Sequence, residues 1–277
     1  MENPAPISCP SGFIPVPHNT DVGTTSDFCV MKYEAKDNGG VAASQAAGNP
    51  IVNIDAVASQ TKCTDLGANY DLISNPEWMT IARNAESVSS NFQAGVMARG
   101  WAAHITYGDA WLNSAVAPST NTNCLYNTGA NTCASSGDHL YRRTLALSNG
   151  EVIWDFSGNV WEWVDWETGG AFTTVPQEDK AFDGTDGTAV ASYREFTLLD
   201  QNINNGDVMD PLTWQSSNPA LNSANGIGQY YASTSGGAAR RGARWDGGSQ
   251  AGAFALNLSS STTSSGPSLG FRCVYRP

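Results

Sequence analysis

The sequence is short of charge, of histidine and of long apolar runs, and each shortage removes a class of function. Only 14% of its 277 residues are charged, and three are His. His104 and His139 have no partners at ligand spacing, so neither a histidine metal centre nor a histidine base is expected. No stretch approaches the roughly 18 apolar residues of a membrane-crossing helix, and no signal peptide is visible. No phosphate-binding loop, dinucleotide fingerprint or Ser/His/Asp order occurs. None of the six cysteines has the CxxC spacing of a zinc site. A net charge of −12 argues against nucleic acid as a partner. That charge is uneven: residues 228–277 carry five Arg against one Asp, about +4, leaving about −16 elsewhere. Either the two parts neutralise each other inside one fold, or the basic end receives acidic ligands.

What is present is enough for a core. Forty per cent of residues are apolar, with nine each of Trp, Tyr and Phe. A single domain over 1–277 is expected, with loop-rich insertions near 95–150 and 168–228. Phe13-Ile14-Pro15-Val16 and Phe28-Cys29-Val30-Met31 flank a polar turn and predict an early hairpin. Pro15 and Pro17 confine its first strand to an edge. Residues 37–50 read as loop. Ala56, Ser59, Cys63 and Leu66 share one helical face, with Gly67 as its expected C-cap. Ser74-Asn75-Pro76-Glu77 is a capping box opening a second helix, whose buried stripe is Trp78, Ile81, Ala82 and Ala85. Arg142-Arg143 reads as a solvated strand end. Asp183-Gly184-Thr185-Asp186-Gly187 lacks the terminal Glu of a Ca²⁺ loop and reads as turns. At the C-terminus, Ala253-Phe254-Ala255-Leu256 and Leu269 to Val274 predict strands around an exposed polar loop. Phe271 and Cys273 fall on one face of the last strand, Arg272 and Val274 on the other.

Three phrases carry a resemblance. Leu66 to Glu86, the turn Gly158-Asn159-Val160-Trp161-Glu162-Trp163, and Arg241-Gly242-Ala243-Arg244-Trp245 with a closing Gly270-Phe271-Arg272-Cys273 resemble formylglycine-generating-enzyme-like domains. These are a branch of the C-type lectin fold that also supplies the variable, ligand-binding proteins of diversity-generating retroelements. The resemblance implies an α+β, loop-rich C-type lectin-like fold, two helices packed on small antiparallel sheets. It pairs Cys63 with Cys273, while Cys124 and Cys133 look like a local staple and Cys9 and Cys29 remain for each other. Six cysteines allow 15 connectivities, so the pairing stays open. Three bridges imply an extracellular, cell-surface or virion protein; reduced buried thiols are the alternative. In formylglycine-generating enzymes the internal turn also holds Ca²⁺. By resemblance Asn159, Val160 and Glu162 would be the ligands here, with Asp155 nearby, or Glu162 sits in a hydrogen-bonded turn without metal.

Enzyme chemistry meets an obstacle in residue types. No cysteine lies between Arg240 and Leu269, so the reactive pair that binds copper in formylglycine-generating enzymes is missing. A non-enzymatic binder explains more. Retroelement mutagenesis rewrites AAY codons to products that include Tyr, Ser, Asp, Gly and Arg but exclude Lys, Glu, Gln, Met and Trp. From Gln229 to Leu269 there is no Lys, Glu, Met or His; Gln250 does not fit as a diversified site, and Trp245 would be scaffold. A variable region over 229–272 is therefore expected, with Tyr230, Tyr231, Ser233, Arg241, Arg244, Asp246, Gly247, Ser259, Ser260, Ser264 and Ser265 as ligand-binding positions. These residue types make paratopes. The expected partner is a protein or glycan on a cell or host surface. The alternatives are an oxidase of the formylglycine-generating type, or a fixed-specificity, carbohydrate-binding lectin-like domain.

Overall fold

The strongest local signals of the sequence become the elements that tie the two ends of the chain together. The computed structural model describes residues 7–102, 116–119, 141–165, 216–218, 221–232 and 238–277. The Cys124/Cys133 pair, His104, His139, Ser233 and the Asp183–Gly187 turns lie outside them. In chain order, β1 (Phe13–Val16), β2 (Phe28–Met31), β3 (Ala35–Asn38) and β4 (Val41–Ser44) precede α1 (Ala56–Thr64). Then come β5 (Tyr70–Leu72), α2 (Asn75–Glu86), β6 (Phe92–Gln93), β7 (Val96–Met97), β8 (Thr144–Ala146), β9 (Val152–Trp154) and β10 (Trp161–Trp163). The C-terminal part holds β11 (Tyr230–Ala232), β12 (Ala238–Arg241), β13 (Leu256–Ser260), β14 (Leu269–Phe271) and β15 (Cys273–Tyr275).

A four-stranded antiparallel sheet, β1-β2-β15-β5, inserts the last strand between the N-terminal hairpin and β5. Pro15 sits on the edge strand, as its missing N–H requires. Cys9–Cys29 and Cys63–Cys273 are disulfides, the second bridging α1 to β15 across 210 residues of sequence. A second sheet, β11-β13-β12-β10-β14, is mixed rather than antiparallel: β11 with β13, and β10 with β14, run parallel. Residues 37–50 are not all loop. Asn38-Gly39-Gly40-Val41 is a hairpin signal, with both glycines left-handed, and it joins β3 to β4.

Helix α2 follows the sequence. The Ser74 hydroxyl accepts from the Glu77 amide, while Glu77 accepts from the Ser74 amide at 2.8 Å. Trp78, Ile81, Ala82 and Ala85 are fully buried. Trp78 stacks on Phe156 at 3.9 Å between ring centres and donates its indole N–H to the Ala253 carbonyl at 2.8 Å. In α1, Asp55 caps the N-terminus, and Ala56, Ser59 and Cys63 face inward. The helix stops at Thr64 with Asp65 as C-cap. Leu66 thus packs from outside the helix, and Gly67 turns the chain toward β5 instead.

The predicted last strand is two strands. β14 pairs with β10 in the mixed sheet and β15 with β2 and β5 in the other, and Arg272 stands between them. Its two predicted faces hold: Phe271 and Cys273 enter one core cluster, Val274 the other. Ser259 and Ser260 belong to β13, so the polar loop begins at Ser261.

Candidate functional site

One face of the mixed sheet is apolar where β11, β13 and β12 meet the main core: Tyr230, Leu256, Leu258 and Ala239 all point into it. The alternate residues make the opposite face. Tyr231 pairs with Asn257, Asn257 with Arg240, and Arg240 with Trp163, so these four form one row across the strands. Under β10 and β14 that face is covered: Trp163 is buried and donates to the Ile54 carbonyl ahead of α1. Toward β11 it opens. Tyr231 and Arg240 are half-buried there, and the Arg240 guanidinium lies 5.4 Å above the Trp161 ring. Asn257 is buried and accepts from the Ser259 hydroxyl at 2.7 Å and the Ser259 amide at 2.9 Å, which orients Ser259.

Several predicted site residues are core instead. Tyr230 and Arg241 are buried at 1% and 0% exposure, and Gly247 and Ser260 are buried too, so these four offer a ligand little or no surface. Arg241 donates to Asn75 Oδ1 at 2.8 Å and to the Phe254 carbonyl at 3.0 Å, locking β12 to the start of α2. Burial pushes its guanidinium down to about 9. Of the Arg240-Arg241 pair, the outward residue is Arg240. The register slips between Ala238 and Arg240, with the extra residue on β13, so β12 itself alternates: Ala239 and Arg241 inward, Arg240 outward. Arg240 and Asn257 were not expected from the sequence, because the face each residue takes is set by pairing with distant strands.

Tyr231, Arg244, Asp246, Ser259, Ser264 and Ser265 keep surface access. They are not one cluster. Arg244 and Asp246 pair with each other in the turn after β12, at the opposite end of β13 from Ser259. This exposed pair contributes at most about 1 kcal/mol. Gly242 and Ala243 are both left-handed and turn the chain there, and Trp245 packs against Trp101. Ser264 and Ser265 lie in the loop anchored by the Asn53 and Ala56 amides, which donate to the Gly266 and Thr262 carbonyls.

The Gly158-Asn159-Val160 turn is held by the backbone. Gly158 is left-handed, and a Cβ there would lie 2.6 Å from the Trp101 backbone. Beneath it is a cluster of buried charge. Arg272 forks onto Glu162, with Nε 2.6 Å from Oε2, and donates to the Met31, Trp154 and Asp155 carbonyls. Arg143 forks onto Asp155, which also accepts from Ser119. Arg142 and Arg143 are therefore buried, not a solvated strand end; Arg142 binds the Thr144 and Ser90 carbonyls and Asn91. Glu34 accepts from Asn159 Nδ2 at 2.6 Å and from the Val160 amide at 3.3 Å. Burial, reinforced by Asp155, pushes the Glu34 carboxyl up to about 8. Burial likewise lowers the neighbouring Lys36.

This arrangement does not fit the Ca²⁺ ion that the resemblance implies. Both Glu162 oxygens accept from Arg272, Asn159 Oδ1 accepts from the Ala117 amide at 2.8 Å, and Asp155 is taken by Arg143. Among the described residues no group of three His, Cys, Asp or Glu is placed to hold a metal, and no helix is long and apolar enough to cross a membrane. The four described cysteines are all in bridges. Two of the five arginines of the C-terminal end are neutralised by the rest of the chain: Arg272 by Glu162, Arg276 by Asp71 and Glu77.

Two helices, small sheets, a terminal strand returned beside the N-terminal hairpin and a bridge from α1 to that strand make this an α+β, C-type lectin-like domain. Among solved structures the chain is similar to the U1 variant of a major tropism determinant, at 16% identity and a TM-score of 0.38 over 98% of this chain. It spans 54% of that protein's length. It is also similar to PvdO from Pseudomonas aeruginosa, at 15% identity and TM-score 0.44, covering 97% of this chain and 92% of that one. Variable protein 1 of Treponema denticola gives 14% and 0.36, with 91% and 85% covered. No protein-family profile matches the chain, and no curated protein is significantly similar to it in sequence.

Proposed function

We propose that this chain is a non-enzymatic ligand-binding protein of the extracellular, cell-surface or virion kind, whose C-terminal face is diversified by retroelement mutagenesis. The observation that carries the reading is the outward pair Tyr231 and Arg240, half-buried on either side of the buried Asn257, which orients Ser259, on strands whose other face is core. All four are residue types that AAY-codon mutagenesis reaches, and they match the rigid aromatic and adaptable polar chemistry of paratopes. Arg244 and Asp246 extend the accessible set into the adjoining turn. The oxidase reading loses support, since no cysteine lies between Arg240 and Leu269 and the next, Cys273, is bridged to Cys63.

A protein or glycan ligand would meet a few anchors, with Tyr231, Arg240 and Arg244 foremost. The test is a screen of the intact chain against arrayed glycans and immobilised cell-surface proteins, repeated with variants. Tyr231→Ala and Arg240→Ala are expected to weaken any binding found by about tenfold or more each, with a nearly unchanged melting temperature. Arg241→Ala is expected to lower the melting temperature. Binding indifferent to Tyr231, Arg240 and Arg244 would place the ligand elsewhere and overturn this reading.

A further inference from the structure

The buried charge cluster contains one group that none of the roles above uses. Lys36 is 0% exposed, and its ammonium has no hydrogen-bond partner among the described residues. Among the described residues its ion pair is to Glu34 Oε2, at 3.6 Å. A buried cation left this way is costly, and proteins ordinarily pair or neutralise it. The same Glu34 oxygen accepts from the Asn159 side-chain amide at 2.6 Å. One carboxylate oxygen therefore lies between a lysine amine and an asparagine amide, hydrogen-bonded to the amide. On its far side Asn159 Oδ1 accepts from the Ala117 backbone amide at 2.8 Å, which polarises the amide carbonyl.

We infer that Lys36 and Asn159 join through an intramolecular isopeptide bond, formed with Glu34 as the proton carrier. These are the parts an acyl transfer needs: a desolvated amine nucleophile, an acid–base group, and a fixed N–H donor where the oxyanion develops. The acid–base group is 2.6 Å from the leaving nitrogen and 3.6 Å from the nucleophile, and must close in to take its proton. Lys36 gives a proton to Glu34, and its free amine attacks Asn159 Cγ. The oxygen of the tetrahedral adduct takes its charge against the Ala117 N–H. Glu34 gives that proton to the departing nitrogen, the Cγ–Nδ2 bond breaks, and ammonia leaves. The Lys36 nitrogen, now bonded to Cγ, gives its second proton to Glu34, which ends as a neutral carboxylic acid. One C–N bond forms and one breaks, with no change of oxidation state and no co-reactant. The product replaces an ill-solvated buried charge with a neutral amide and ties β3 to the turn before β10. Glu34 and Asn159 already hold that turn in place, so the bond adds a covalent clamp where the fold already has a junction.

Mass spectrometry of the intact, reduced full-length protein tests this directly. The expected result is a mass below that of the sequence by one ammonia. Proteolysis is expected to yield a branched peptide joining the Lys36 and Asn159 segments, absent from Lys36→Met and Glu34→Ala protein. The wild-type mass decides the matter even if those variants fail to fold. A chain at full sequence mass overturns the inference. So does an ammonia deficit without the branched peptide, which would mean cyclisation at an asparagine.

Discussion

Arg272→Ala is expected to lower the free energy of unfolding by about 3–5 kcal/mol, the range for breaking one partner of a fully buried ion pair. The reason lies in what is left behind. Glu162 is 0% exposed, and both of its oxygens accept from Arg272; without the guanidinium its buried charge loses both of these charge-assisted hydrogen bonds. The Met31, Trp154 and Asp155 carbonyls lose donors at the same time. Arg272→Lys is expected to recover only part of the loss, because an ammonium cannot supply the bidentate fork and the carbonyl contacts together. Urea unfolding followed by intrinsic tryptophan fluorescence measures it. A loss under about 1 kcal/mol, the size of an exposed pair, would show that the cluster is not buried as described.

Removing the α1-to-β15 bridge is the second large effect. Cys63 and Cys273 are 210 residues apart in sequence, and both are fully buried. In the chain-entropy picture a closure of this length restricts the unfolded chain by about 4–5 kcal/mol, against about 3 kcal/mol for a short loop. The paired variant Cys63→Ser with Cys273→Ser is thus expected to lose more stability than Cys9→Ser with Cys29→Ser, whose bridge closes only 20 residues. Thermal melts of the two variants under non-reducing conditions compare them. Equal or reversed losses would mean that native-state packing, rather than loop closure, sets the contribution of each bridge.

Legibility in the sequence followed the range of the signal. The capping box at Ser74 and Glu77 is written within four residues, and α2 starts there. The β1–β2 hairpin and its edge proline are equally local. The Cys63–Cys273 bridge came through family resemblance, since no local pattern specifies a contact across 210 residues. What local reading missed was set by long-range contacts or by irregularity. The charge cluster draws Glu34, Lys36, Arg143, Asp155, Glu162 and Arg272 from four separate segments, so Arg142-Arg143 looked solvated and Glu162 looked available to a metal. In β12 the phase of the strand turns Arg240 outward and makes the expected anchor Arg241 a core strut, and that phase is fixed by pairing with β10 and β13 rather than by anything local to two adjacent arginines. Tyr230 and Tyr231 likewise divide between core and surface by strand phase, which adjacent identical residues cannot reveal.

The central claim is that a fixed scaffold carries a variable face, and sequencing codons 229 to 272 across the native population tests it most directly. The account predicts variation confined to the first two positions of codons for accessible residues: Tyr231, Arg240, Arg244, Asp246, Ser259, Ser264 and Ser265. It predicts constancy at Tyr230, Arg241, Trp245 and Arg272, which hold the scaffold. A uniform sequence through the whole stretch, or variation falling equally on the buried positions, would contradict it.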